Sequence, residues 1–164
     1  MSRRLLLLLL ACLAAAAADW QGRVVGIHDG DTLTVLRVRQ QVKVRLYGID
    51  CPELGQPYGR RARQRAAELA FGRTVTVRPE SRDRYGRLVA WVVLPDGRTL
   101  NEILVAEGLA WHYRRYAPRA RQLAEREQQA RTARRGLWQD PNPVPPWNWR
   151  RPARSAGRAT ISRE

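Results

Sequence analysis

A mainly β chain with helices (α+β), folded as a five-stranded OB barrel with three α-helices, is predicted by three features of the sequence. Apolar and polar residues alternate through three stretches between Gly22 and Tyr47. A helical stripe follows over Gly59 to Ala70, and two more strand-like stretches precede two more helices. Three strands returning on themselves, a helix, then two strands is the order of an OB barrel, a fold widely used for oligonucleotides and oligosaccharides.

The first strand carries Val24, Val25 and Ile27 and ends at an Asp29-Gly30 turn. Leu33, Val35 and Val38 alternate in the second, and Val42, Val44 and Leu46 in the third, with a turn at Gln40-Gln41 between them. Such alternation predicts a sheet with one buried and one wet face. On the first helix Ala62, Ala66, Leu69 and Ala70 share a face opposite a set of arginines, and Gly72 stands where a helix stops. Strands at Thr74 to Arg78 and Leu88 to Leu94 follow, the latter closed by a Pro95-Asp96-Gly97 turn. Thr99-Leu100-Asn101-Glu102 has the spacing of a capping box and predicts a helix to Gly108. The third helix is predicted from near Pro118 to Gly136, after which Leu137 and Trp138 return to the core.

The chain's ends differ in composition from this body. Arg3-Arg4, the apolar run Leu5 to Leu10 and the small residues Ala14 to Ala18 have the layout of a secretory signal peptide over residues 1–18, cleaved after Ala18. The run is too short to span a bilayer. Leu9-Leu10-Ala11-Cys12 offers a second reading, a lipoprotein box leaving Cys12 lipidated; both readings export the protein, to the periplasm or beyond. Cleavage at Ala18 leaves Cys51 as the sole cysteine and rules out an intrachain disulfide. A domain is expected over residues 19–140, a Pro/Trp strap over 141–150 that docks through Trp147 and Trp149, with a partner motif as the alternative reading of that stretch, and a disordered basic tail over 151–164.

Charge narrows the partners. The exported chain holds 28 basic residues against 15 acidic ones, a net +13. So large a charge draws in polyanions: nucleic acid, anionic lipid or acidic polysaccharide.

Chemistry concentrates in three short pieces: Asp29-Gly30-Asp31-Thr32, the run Arg45-Leu46-Tyr47-Gly48-Ile49-Asp50-Cys51-Pro52-Glu53, and Asp83-Arg84-Tyr85-Gly86-Arg87. Taken singly, each reads as well as a turn or a solvated loop. Together they say more. Asp31 and Asp50 both fall at strand ends that a barrel brings to one rim. Two carboxylates, a backbone carbonyl and water suit a hard cation, calcium best, whereas no cysteine or histidine pair has zinc spacing. Arg45 and Arg87 supply two planar forks able to grip one phosphate from two sides.

In these pieces, their order and the spacing from Asp31 to Glu53, the chain resembles the staphylococcal nuclease (thermonuclease) family, over about Gly22 to Trp138. Asn101-Glu102 and Gly108-Leu109-Ala110 resemble that family's later segments. The resemblance implies Asp31, Asp50 and the Cys51 carbonyl as calcium ligands, with Arg45, Glu53 and Arg87 catalytic. The two arginines would hold the scissile phosphate, and Glu53 would orient or deprotonate the attacking water. It further implies Arg84, Tyr85 and Tyr113 as substrate-binding residues. The implied reaction is in-line attack of water on a phosphodiester of DNA or RNA, leaving a 3′-phosphate. Nothing in the motifs requires more than a monomer or a stable protein partner. Three departures stand out: Cys51 replaces a threonine, the segment from Glu53 to the first helix is short, and the Trp111 to Tyr116 stretch differs in length. The length change leaves Tyr116 as an alternative to Tyr113, and His112 is given a structural or surface place.

Two other readings compete. A catalytically silent OB module has no reason to keep Asp31, Arg45, Asp50, Glu53 and Arg87 together. A cationic envelope protein that binds by charge alone leaves the carboxylates among the arginines unexplained.

Overall fold

The computed structural model describes residues 18–151. Residues 1–17, which contain nearly all of the proposed export segment and Cys12, and residues 152–164 of the tail lie outside the described part. Among the described residues no helix is long and apolar enough to cross a membrane.

Five strands close into a barrel in the order β1 (Trp20–Ile27), β2 (Thr32–Arg37), β3 (Gln40–Leu46), β6 (Leu88–Val93), β5 (Thr74–Arg82), with β5 returning to β1. All neighbours are antiparallel except β3 and β6, which run parallel. A two-residue strand β4 (Ile49–Asp50) leaves the barrel and pairs with β7 (Trp111–His112), so that Asp50 lies opposite Trp111. The helices are α1 (Gly59–Ala70), α2 (Leu100–Ala106), α3 (Arg121–Thr132) and a single turn α4 (Pro146–Trp149), with a 3-10 turn at Gly136–Gln139.

The alternation in the sequence is the inside-outside alternation of the barrel. Val24, Leu33, Val35, Val44, Leu46, Val75, Val77 and Val92 fill the interior, and Ala62 and Ala66 of α1 with Leu100 and Leu104 of α2 pack against the same core. A second cluster of Trp111, Ala130, Leu137 and Trp138 holds α3 and the following turn. Arg131 lies across the Trp138 ring at 3.8 Å, a cation over a π face.

Three local expectations needed correction. The β2–β3 turn falls at Val38–Arg39, because Arg37 pairs with Gln40; Val38 is 90% exposed at φ 56° and belongs to no strand face. The strand expected to stop at Arg78 continues to Arg82, past a register shift at Pro79/Ser81 that accommodates a residue with no N–H to donate. The third helix spans only Arg121–Thr132, and Arg134 (φ 48°) and Gly136 (φ 53°) turn the chain after it.

The capping box is present in altered form. The Glu102 N–H donates to Thr99 Oγ1 (3.3 Å), while the threonine hydroxyl itself donates to the Glu102 carboxylate (2.7 Å).

Candidate active site

Register places the first acidic residue. Thr32 of β2 pairs with Arg45 of β3, and the Leu46 N–H donates to the Asp31 carbonyl (2.8 Å), so Asp31 sits at the barrel rim beside the Arg45 side chain. Its own N–H donates to Asp29 Oδ1 (3.0 Å), which closes the Asp-Gly turn. Asp50 reaches the same rim from the short β4–β7 ladder. The two carboxylates are buried, at 5% and 1% exposure.

Arg45 joins them. Its Nη1 lies 3.0 Å from Asp31 Oδ1 and its Nη2 2.9 Å from Asp50 Oδ1. The Cys51 N–H donates to Asp31 Oδ2 (2.6 Å), so the Cys51 backbone borders the acid pair while its thiol is buried. Burial pushes the Asp31 pKa up to about 7 against the opposing pull of Arg45. Burial also works against the charge on Arg45, but Asp31 and Asp50 outweigh it and raise its pKa. Burial, with the Asp31 charge, pushes the Cys51 thiol well up, which leaves it a neutral packing group.

The string of charges continues outward. Arg150, from the strap, donates through Nη2 to Asp50 Oδ2 (2.7 Å) and through Nη1 to Glu53 Oε1 (2.6 Å). Three carboxylates and two guanidinium groups therefore alternate as Asp31, Arg45, Asp50, Arg150, Glu53. Glu53 sits on the loop before α1, where its N–H is held by Gln56 Oε1 (3.1 Å).

The β5–β6 turn lines the same cleft, whose volume is about 1400 Å³. Asp83 Oδ2 accepts from Arg87 Nε at 2.6 Å, fixing that guanidinium by one edge. Tyr85 is 67% exposed, with the Arg84 and Arg87 guanidinium groups 4.7 and 5.5 Å from its ring centre. Tyr113 also borders the cleft, but one of its faces is covered by Trp147, the rings parallel within 6° at 4.9 Å. Tyr116 packs edge-on to Tyr113 at 4.8 Å and is exposed. His112 is buried and faces the Ala117 carbonyl (2.9 Å).

Asp31, Arg45, Asp50, Cys51, Glu53, Arg84, Tyr85, Arg87 and Tyr113 thus line one cleft. Three contributions to the site do not follow from the sequence: Asp83 as the clamp on Arg87, Trp147 as the cover on Tyr113, and Arg150. Asp83 was at hand in the motif itself, but no spacing signals a residue 100 positions beyond Asp50.

Among the described residues no three or more His, Cys, Asp or Glu side chains come together as a metal cluster. The donor set still fits a hard cation. Among the described residues it holds two buried carboxylates, no paired soft ligand, and in Asp31 a carboxylate whose burial leaves it short of positive charge even beside Arg45.

A barrel rim carrying buried carboxylates interleaved with arginines defines an OB-type protein built to hold an anionic substrate against an acid pair. Comparison with known proteins makes the class specific. Residues 43–140 match the staphylococcal nuclease homologue family. The chain is 49% identical to a micrococcal nuclease of Shigella flexneri over 150 residues, 86% of each chain. It is 46% identical to an uncharacterized endonuclease of Escherichia coli O157:H7 over 133 residues, 81% of this chain and 86% of the other. With the staphylococcal-like nuclease CAN1 of Arabidopsis thaliana it shares 40% identity over 112 residues, 68% of this chain and 34% of that one. The chain belongs to the staphylococcal nuclease family, and its enzyme class is that of a nuclease, a hydrolase of phosphodiester bonds.

Proposed function

We propose that the protein is an exported, calcium-dependent nuclease that hydrolyses DNA or RNA by in-line attack of water and leaves 3′-phosphate ends. The observation that supports this most is the single cleft shared by Asp31, Arg45, Asp50, Glu53 and Arg87. In this reading Asp31, Asp50 and the Cys51 carbonyl hold calcium, which when bound supplies positive charge beside the phosphate.

The chain's own residues do the rest. Arg45 is held between Asp31 and Asp50 through Nη1 and Nη2, so a phosphate that takes its remaining N–H groups sits next to both carboxylates. Arg87, fixed at Nε by Asp83, keeps both terminal nitrogens for the phosphate oxygens. Charge accumulates on those oxygens during attack, and two preset forks stabilise it more than they stabilise the bound ester. Glu53 orients the attacking water. Tyr85 and Arg84, on the exposed turn, lie against the nucleotide, as does the uncovered part of Tyr113. The signal-peptide layout of residues 1–18 is the reason for placing the enzyme outside the cytoplasm, secreted or periplasmic.

The test is cleavage of single-stranded DNA by the purified protein with calcium or a calcium chelator, beside Glu53→Gln. Cutting that needs calcium, yields 3′-phosphate ends and collapses in the variant is expected. Binding without cleavage under every divalent metal would instead identify a silent OB module.

A further inference from the structure

We propose that Arg150 is a third active-site arginine, a positioning residue that holds the Glu53 carboxylate by one oxygen and leaves the other for the attacking water. The inference rests on the reading of Glu53 as the group that orients that water. A glutamate at the mouth of a cleft has three side-chain torsions and wanders unless something holds it. Among the described residues the partner of its carboxylate is Arg150, whose Nη1 donates to Oε1 at 2.6 Å, and none of them donates to Oε2. One oxygen held and one free is what alignment of a water molecule requires.

Arg150 is itself fixed from its other side. Its Nη2 donates to Asp50 Oδ2 (2.7 Å), and Asp50 is buried and gripped by Arg45. The planar fork therefore spans a buried carboxylate and a half-exposed one, and passes the position of the first to the second. A lysine, with one point charge, would hold only part of that geometry.

The strap makes the arrangement independent of chance contact. Pro146 is buried, Trp147 stacks on Tyr113 and meets Trp111 edge-on at 5.6 Å, and Gln56 Nε2 donates to the Val144 carbonyl. The Arg150 N–H closes the turn on the Pro146 carbonyl (3.0 Å). Gln56 belongs to the loop that carries Glu53, so the strap grips that loop by its backbone as well as by the Arg150 side chain.

A residue acting through Glu53 has a signature that a mere staple lacks. Steady-state cleavage of a DNA oligonucleotide with saturating calcium would be compared for the parent protein, Arg150→Ala, Arg150→Lys, Glu53→Gln and the double variant. Arg150→Ala is expected to lower kcat by about 10- to 100-fold with KM changed less than about threefold. Arg150→Lys should recover part of the loss, and added guanidinium at sub-denaturing concentration should partly restore Arg150→Ala. In the Glu53→Gln background, removing Arg150 should change kcat by less than about twofold, because the group it acts through is already gone. Parental or higher kcat in Arg150→Ala, or losses that multiply in the double variant, would overturn the proposal while leaving Glu53 in its role. A fully active Glu53→Gln would bring down the reading of Glu53 and the proposal with it. Melting curves of each variant separate these results from unfolding, and if Arg150→Ala does not fold, the same comparisons made with Arg150→Lys decide.

Discussion

The indole ring of Trp147 lies flat on the phenol ring of Tyr113, centroids 4.9 Å apart and planes within 6°. This stack ties the strap to the cleft wall and brings two roles into competition, since a face given to Trp147 is denied to a nucleotide base. Trp147→Ala is expected to cost about 1–2 kcal/mol of stability through the lost stacking and burial. It should also lower kcat in the same direction as Arg150→Ala, because the strap carries both residues. Thermal unfolding and turnover measured on one preparation check the pair of effects together.

Asn101 ties a helix to the barrel just behind the site. Fully buried, it accepts from the Val92 N–H (3.1 Å) and donates to the Tyr47 carbonyl (2.9 Å). Asn101→Ala would leave both backbone groups without partners in the core, at a cost of about 2–4 kcal/mol. Urea unfolding of the variant is the measurement; a loss below about 0.5 kcal/mol would mean that water replaces the amide.

The same residue shows what the sequence does and does not disclose. Asn101 stands in the capping-box stretch, where its neighbours announce a helix, but nothing there tells that its amide reaches back to Tyr47. Strand periodicity was legible for β1 to β3 because each buries one face, and α1 was legible because its alanines repeat at helical spacing. The β2–β3 turn was misplaced because Val38, a strand-favouring residue, takes a left-handed conformation that only the pairing of Arg37 with Gln40 reveals. Asp31, Arg45, Asp50, Glu53 and Arg87 could be named because they occupy compact motifs. Arg150 could not, because it owes its place to the docking of Trp147 rather than to its neighbours in sequence.

Asp83 gives the site a dependence on pH. Burial would raise its pKa, but hydrogen bonds from the Arg87 side chain and from the Arg87 and Tyr85 N–H groups outweigh that and hold it below its ordinary value. A carboxylate lowered by folding contributes stability that is present above its unfolded pKa, near 3.8, and is lost as pH falls through the lower folded value. The clamp on Arg87 is therefore intact at neutral pH and opens only in acid. Asp83→Asn is expected to lower kcat/KM by about tenfold at pH 7, by freeing Arg87 to wander. Its melting temperature should lie slightly below the parent's at pH 7, and the two curves should converge below about pH 4. A gap that widens in acid would contradict the assignment.

Calcium binding can be read without any substrate. A cation that binds the folded state alone stabilises it by about 2.7 kcal/mol at a hundredfold excess over its dissociation constant. For a chain of this size that corresponds to a rise in melting temperature of roughly 5–10 °C. Asp31→Asn and Asp50→Asn are each expected to abolish the rise, and a chelator should reverse it in the parent. Magnesium should do less, because it demands stricter octahedral geometry than two rim carboxylates supply. An undiminished calcium shift in both variants would place the metal elsewhere.

Gly59 sets how closely α1 approaches the loop that carries Glu53. A Cβ built at this position would lie 1.8 Å from the Glu53 carbonyl oxygen and 3.0 Å from that of Pro52, both backbone atoms that cannot rotate aside. Gly59→Ala must therefore push the loop and the helix apart, at about 1–3 kcal/mol, in the manner of any overpacked core. The displaced carbonyl belongs to Glu53, so the carboxylate moves with it, and a loss of order 1 Å in alignment is enough for about a hundredfold fall in kcat. Gly55→Ala is the matched control, since a Cβ there meets nothing within 4 Å on the same loop. Parental turnover in Gly55→Ala with loss in Gly59→Ala is the expected pair. Equal activity in both would mean that the loop adapts without moving the carboxylate, and that the backbone contact at Gly59 serves packing alone.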